Sequence, residues 1–291
     1  MRGLRVAVIG ATGNVGRALV AALVREGANI VAIARTPSQL QRLGGGVQSS
    51  PLDLGKESGD LHAALHGAGC VVNVAHAKYT RTIIDALPDP SLRLITLGST
   101  RKYTRFPDQK AAEVLNAEAA HADGVNGLIL HPTMIYGGAD NNISRIVRIV
   151  QWSPVAPLPH SGRALMQPIH RDDVVRCLMT AITRDVGAQP LILAGAAAVT
   201  YADLVRACGR AVGRRVRILS VPIQAMLALA QVTRFIPGIP SITGDEVRRL
   251  VEDKAFDIGP MRARLGVTPC TFEEGVARML AAGEIAGRHV I

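Results

Sequence analysis

Aromatic side chains make up only 3% of this 291-residue chain, and tryptophan occurs once. Stacking platforms for nucleic-acid bases are therefore scarce. Cys70, Cys177, Cys208 and Cys270 stand far apart and form no C-x-x-C pair, which excludes the usual zinc and redox-dithiol patterns. They read as reduced, mostly buried thiols of a cytoplasmic protein. No apolar run approaches the ~18 residues that argue for a membrane-spanning helix. The nearest candidate, Val221 to Val232, reads as a buried or interfacial helix. The first apolar run leads straight into a glycine turn, unlike a signal peptide. No internal repeat and no Gly/Ser linker appears. Acidic residues are in deficit, 23 against 33 Lys and Arg, for a net charge of +10. The arginines are dispersed, with one denser run through Arg206, Arg210, Arg214, Arg215 and Arg217. No nucleic-acid motif accompanies them, so nucleic acid is not an expected partner. The run could serve a diphosphate or an anionic surface; a solvated face is the plainer reading.

What is present is apolar content of 48%, enough for a full core, and a strongly patterned first segment. Leu4 to Ile9 reads as a short strand. Gly10-Ala11-Thr12-Gly13-Asn14-Val15-Gly16 follows, then a helical pattern from Arg17 to Glu26 with Leu19, Val20, Leu23 and Val24 on one face. Asn29 to Ala34 is a second strand. Strand, glycine turn, helix and strand form a βαβ unit, whose helix N-terminus is an anion site suited to a dinucleotide pyrophosphate. The second strand ends at Ala34-Arg35-Thr36 with no carboxylate for ribose hydroxyls. A guanidinium there suits a 2′-phosphate, so NADP is favoured, with NAD the alternative.

Further strands are expected at Val47–Leu52, Cys70–Ala75, Leu92–Leu97 and Gly127–Leu130, alternating with helices, the longest at Asp108–Ala122. This alternation predicts an α/β Rossmann-like, doubly wound parallel sheet, with ligands along its C-terminal edge. Residues 1–150 form the expected NAD(P)-binding domain, which also receives strands from about 165–195. Residues 196–291 form a small, mainly helical substrate lobe, with Pro237 and Pro240 in one loop. Asn142–Gln151 is read as a helix carrying Arg145 and Arg148, which could face an anionic substrate.

Several segments together resemble the extended and atypical short-chain dehydrogenase/reductase superfamily, in particular its nucleoside-diphosphate-sugar epimerase-like members. Gly10 to Gly16 is similar to the extended glycine motif. Val72-Asn73-Val74-Ala75, followed by His76, matches the strand whose backbone lies along the cofactor. Asp53-Leu54 stands where the superfamily touches adenine. Pro132-Thr133-Met134-Ile135-Tyr136-Gly137 resembles the segment near the nicotinamide, with His131 standing where the superfamily usually has arginine. Gln167-Pro168-Ile169-His170-Arg171-Asp172-Asp173-Val174 resembles a second internal signature, and Lys254 to Ile258 and Phe272 to Gly275 resemble the substrate-lobe signature. The resemblance implies an NAD(P)-dependent oxidoreductase or epimerase/dehydratase moving hydride between nicotinamide C4 and a carbonyl or alcohol carbon of a small-molecule substrate, with an anionic one among the candidates. It implies cofactor contacts at Gly10, Thr12, Gly13, Asn14, Val15, Gly16, Arg35, Asp53, Leu54, Ala75, His76, His131, Pro132, Thr133 and Met134. Helices like Asp108–Ala122 form dimer faces in relatives, so a homodimer is one expectation.

For the chemistry, the resemblance implies Ser99 or Thr100 as the substrate-orienting hydroxyl and Lys110 as the ribose-holding lysine. Four residues before Lys110, however, Phe106 replaces the superfamily's acid/base tyrosine, and phenylalanine moves no proton. Three readings follow. Tyr103 takes over as proton donor; or Tyr136, His76 or Glu118 does; or the chain is a non-catalytic NADPH-binding sensor or assembly protein.

Overall fold

The computed structural model describes residues 1–56, 59–233, 248 and 250–285. The expected loop of Pro237 and Pro240 lies outside the described residues. In chain order, the first half runs β1 (Arg5–Ile9), α1 (Asn14–Arg25), β2 (Asn29–Ala34), α2 (Pro37–Gln41), β3 (Val47–Pro51), α3 (Gly59–Leu65), β4 (Cys70–Asn73), α4 (Thr80–Asp85), β5 (Arg93–Leu97), α5 (Gln109–Ala122), β6 (Gly127–Pro132) and β7 (Ile135–Tyr136). The second half runs α6 (Ile143–Trp152), β8 (Val155–Pro159), β9 (Leu165–Met166), β10 (Ile169–His170), α7 (Arg171–Thr183), β11 (Leu191–Leu193), β12 (Val199–Thr200), α8 (Tyr201–Ala211), β13 (Arg217–Val221), α9 (Ile223–Thr233), α10 (Gly259–Leu265) and α11 (Phe272–Ala281).

Seven parallel strands form one sheet in the order β11-β6-β5-β4-β1-β2-β3. Strand alternation divides β1 between two helix layers. Val6 and Val8 face a core shared with α1, α7 and α10, whereas Ala7 and Ile9 face α3 and α4. Both faces being covered explains why the central strands read as unbroken apolar runs. Chain order reverses between β1 and β4, so the ligand crevice of such a sheet opens there.

Of the segment 165–195, only β11 joins this sheet, along its β6 edge. β9 and β10 pair instead with β12 and β7 in two small ribbons. A second apolar cluster centres on Tyr136, α6, α8 and α11. Gln167 links this region to the main layer: its amide donates to the Gly195 carbonyl (2.8 Å) and its Oε1 accepts from the Phe256 N–H (2.7 Å). The four cysteines are buried and unpaired. No helix among the described residues is long and apolar enough to cross a membrane.

Candidate cofactor and substrate clefts

The glycine turn after β1 is built by close packing. Gly10 has φ +83°, and a Cβ on it would stand 2.7 Å from the Ala75 backbone nitrogen. A Cβ on Gly16 would run into the Gly10 carbonyl oxygen and Ala11. Gly13 is the N-cap of α1 and supplies no side-chain cap. The first intrahelical bond runs from the Arg17 N–H to the Gly13 carbonyl (2.9 Å), leaving the first-turn amides of Asn14, Val15 and Gly16 at the helix N-terminus.

A cavity of about 380 Å³ opens above this turn. Gly10, Thr12, Gly13, Arg35, Asp53, Leu54, Ala75 and His76 line it, as does Val74. Lys78 and Tyr79 also line it, and the Lys78 ammonium lies 4.9 Å from the Tyr79 ring centre. Sequence reading missed these two, because they lie on a 3₁₀ turn, Ala77–Tyr79, that no periodicity announces. Asp53 Oδ1 accepts from the Gly55 N–H (3.1 Å), closing the turn after β3. The Ala75 N–H donates to Asn73 Oδ1 (3.0 Å), which holds the strand end against the glycine turn. The crowded turn, the uncapped helix start and the two cations Arg35 and Lys78 fit the phosphates of a dinucleotide.

Neither Asn14 nor Val15 lines this cavity. Asn14 donates to the Gly137 carbonyl (2.8 Å) and accepts from the Ala139 N–H (3.0 Å), while Val15 packs in the core. His131 departs from the cofactor-contact expectation. It is fully buried and turned towards α5, where Glu118 Oε2 lies 3.1 Å from its Nε2 and also pairs with Lys102. Burial is the main cause, with the Lys102 charge second, that holds His131 down at about 4.

A second cavity, about 390 Å³, lies above β5 and β6. Ser99, Thr100, Tyr103, Thr133 and Met134 line it, joined by Arg101, Arg105, Asn142, Met166 and the segment Glu252, Asp253, Lys254 and Phe256. Ser99 Oγ accepts from the Arg101 N–H (3.1 Å) and caps the 3₁₀ turn Thr100–Tyr103. Thr100 donates to the Pro132 carbonyl (3.3 Å), and Thr133 to the Gln167 carbonyl (2.5 Å). The Tyr103 ring is half exposed, 5.8 Å from Phe256. Glu252 is buried beneath it: Thr104 Oγ1 donates to its carboxylate at 2.9 and 3.0 Å, and the Arg105 N–H donates at 2.5 Å. Glu252 carried no sequence signal, since its partners lie almost 150 positions away.

Lys110, Phe106, Tyr136 and His170 fall outside both cavities. Lys110 is exposed on the first turn of α5, and Phe106 is exposed just before it; neither lines a cavity. Tyr136 is fully buried, packed edge-on to His170 and against Phe272, with its hydroxyl 3.5 Å from the Thr271 carbonyl. Burial pushes its phenol far up, and it lines neither cleft. His76 reaches the first cavity while its Nδ1 stands 3.2 Å from Glu113. His170 caps α7 by accepting from the Asp172 N–H (3.3 Å), a structural task.

The comparisons with known proteins agree with this architecture. Residues 10–150 match the family model described as NAD(P)H-binding. Uncharacterized proteins of Mycobacterium tuberculosis and Mycobacterium bovis are 26% identical over 217 residues, 71% of this chain and 23% of theirs. The chain thus spans about a quarter of the length of the curated relatives it matches. MoeE5, solved with UDP-glucuronic acid and NAD, is 22% identical with a TM-score of 0.73 over 96% of this chain and 99% of its own. UDP-glucose 4-epimerase of Thermotoga maritima is 13% identical with a TM-score of 0.72 over 97% and 99%. UDP-N-acetylglucosamine 4-epimerase of Bacillus cereus is 14% identical with a TM-score of 0.72 over 98% of each chain.

Fold and glycine turn define a Rossmann-like α/β protein. The chain shares this fold with MoeE5 and the two epimerases, and its residues 10–150 match the NAD(P)H-binding family model.

Proposed function

We propose that the protein is an NADP-dependent oxidoreductase or epimerase acting on a small molecule that carries negative charge. The observation that carries this reading is the placement of the two cavities. One spans the ends of β1 to β4, the other the ends of β5 and β6, side by side on one edge of the sheet. Gly10, Gly13 and the start of α1 would hold a pyrophosphate, Arg35 and Lys78 a 2′-phosphate, and Asp53 with Leu54 the adenine. The cofactor, when bound, supplies or accepts hydride.

The chain's own groups divide the remaining tasks. Ser99 keeps its proton free to donate, because its oxygen only accepts from Arg101, whereas the Thr100 proton is committed to Pro132. Ser99 therefore orients a substrate oxygen and Tyr103 holds the transferable proton at its hydroxyl. Arg105 on the cleft rim offers charge to an anionic group, and Glu252 fixes the backbone that carries it. A panel of carbonyl compounds and sugar nucleotides, followed by nicotinamide absorbance, tests the reading. Turnover that is lost in Tyr103→Phe while cofactor affinity is kept supports it.

A second reading is a non-catalytic NADPH-binding sensor or assembly protein. The outward position of Phe106 and Lys110, where the superfamily keeps its tyrosine and lysine, favours it. It expects tight cofactor binding, no redox change with any substrate, and no effect of Tyr103→Phe.

A further inference from the structure

The chain's single tryptophan, Trp152, is 89% exposed, the most exposed large apolar side chain among the described residues. It ends α6, with the exposed Arg148 and Ile149 one helical turn back on the same face. Ser153 and Pro154 then lead into β8, where Val155 and Pro157 point outward while Ala156 and Leu158 are buried. β13 lies parallel to β8, placing exposed Arg217 beside Val155 and exposed Leu219 beside Pro157. The Arg217 N–H donates to the Pro154 carbonyl (2.8 Å), which ties the strand to the turn behind Trp152.

Trp152, Ile149, Val155, Pro157 and Leu219 thus form one apolar face edged by Arg148, Arg215 and Arg217. Among the described residues none of these three arginines has a carboxylate partner, whereas Arg206 and Arg210 on α8 pair with Asp203 and Glu273. Beyond β13 the chain enters α9, an 11-residue helix with no charged side chain. None of the face's residues lines either functional cavity.

We propose that this face docks on a lipid bilayer surface bearing anionic headgroups. Trp152, Val155 and Leu219 enter the headgroup–acyl boundary, and Arg148, Arg215 and Arg217 meet the anionic headgroups. An indole with an apolar body and a polar N–H is suited to that boundary. Arginines beside it add attraction to anionic lipid. A second copy fits poorly, because a two-fold contact would set these arginines against their own duplicates. Single-stranded nucleic acid fits poorly too, since one ring among aliphatic side chains is no stacking track.

Because Trp152 is the only tryptophan, its emission reports on this face alone. The full chain is titrated with phosphatidylcholine vesicles and with phosphatidylcholine–phosphatidylglycerol vesicles, and co-flotation is measured in parallel. The expected result is a blue shift and co-flotation with the anionic vesicles only, weakened by salt. Arg215→Gln with Arg217→Gln lowers partitioning roughly tenfold to thirtyfold, at roughly fivefold per arginine. Trp152→Ala lowers co-flotation at least about tenfold. Circular dichroism and NADPH binding of these variants are expected to be unchanged. Absence of a shift and of co-flotation for the unmodified chain overturns the proposal. So does a concentration-dependent shift without vesicles, which marks self-association, or oligonucleotide binding that matches vesicle binding at the same salt.

Discussion

Glu118 stands 3.1 Å from the Nε2 of His131, and the same carboxylate oxygen takes the ammonium of Lys102. The cluster joins α5, the end of β6 and the turn that carries Ser99 and Tyr103. Lys102 is nearly buried, so removing its charge leaves Glu118 without its compensating cation. Lys102→Met is expected to destabilise the fold by about 2–4 kcal/mol in denaturant melts. It also lifts one of the charges that keeps His131 neutral, so the His131 midpoint, followed by imidazole NMR shifts, moves upward from about 4.

The same burial makes stability depend on pH. His131 and His121 are both held at about 4, below the ordinary histidine value of 6.5, chiefly by burial. Between those values the unfolded chain binds protons that the folded chain does not. Their contribution is therefore fully present above about pH 6.5 and is lost as pH falls towards 4. The loss is on the order of 3 kcal/mol for each histidine, read as a falling Tm. His121→Gln flattens that slope; a slope unchanged in both His121→Gln and His131→Gln contradicts the assignment.

Arg35 and Lys78 line one cavity with no acidic residue at the end of β2. Arg35→Ser is expected to weaken NADPH roughly tenfold to a hundredfold and to leave NADH within about twofold, by calorimetric titration. Equal losses for both cofactors would show that Arg35 does not discriminate the 2′-phosphate.

Gly10 has both positive φ and no room for a Cβ against Ala75. Gly10→Ala should destabilise by about 1–3 kcal/mol and abolish saturable cofactor binding, whereas Gly45→Ala, in open space, should do neither. Fluorescence titration beside thermal melts separates the two effects.

Tyr103→Phe separates enzyme from sensor. The catalytic reading expects kcat to fall by about 100-fold or more with cofactor Kd unchanged. Lys110→Met, on an exposed position, should change cofactor Kd by less than about twofold. A large loss there would restore the lysine to the cofactor site.

What the sequence by itself determined is the parallel βαβ architecture and most of the lining of the cleft above the glycine turn. Apolar runs, helical spacing and the turn from Gly10 to Gly16 are local signals, and local signals govern backbone path. Arg35, Asp53 and Ala75 were legible for the same reason: each follows directly on a strand, and parallel strands deliver their C-terminal ends to one edge. Facing was decided only in three dimensions. The rotation of α5 and the turn before it expose Lys110 and bury Lys102, although both lie in the same short stretch. Tyr136 follows a recognisable motif, yet α11 covers it. Glu252 reaches Thr104 and Arg105 because the C-terminal segment folds back over the sheet edge. Such contacts depend on how distant elements pack, and no spacing along the chain encodes them.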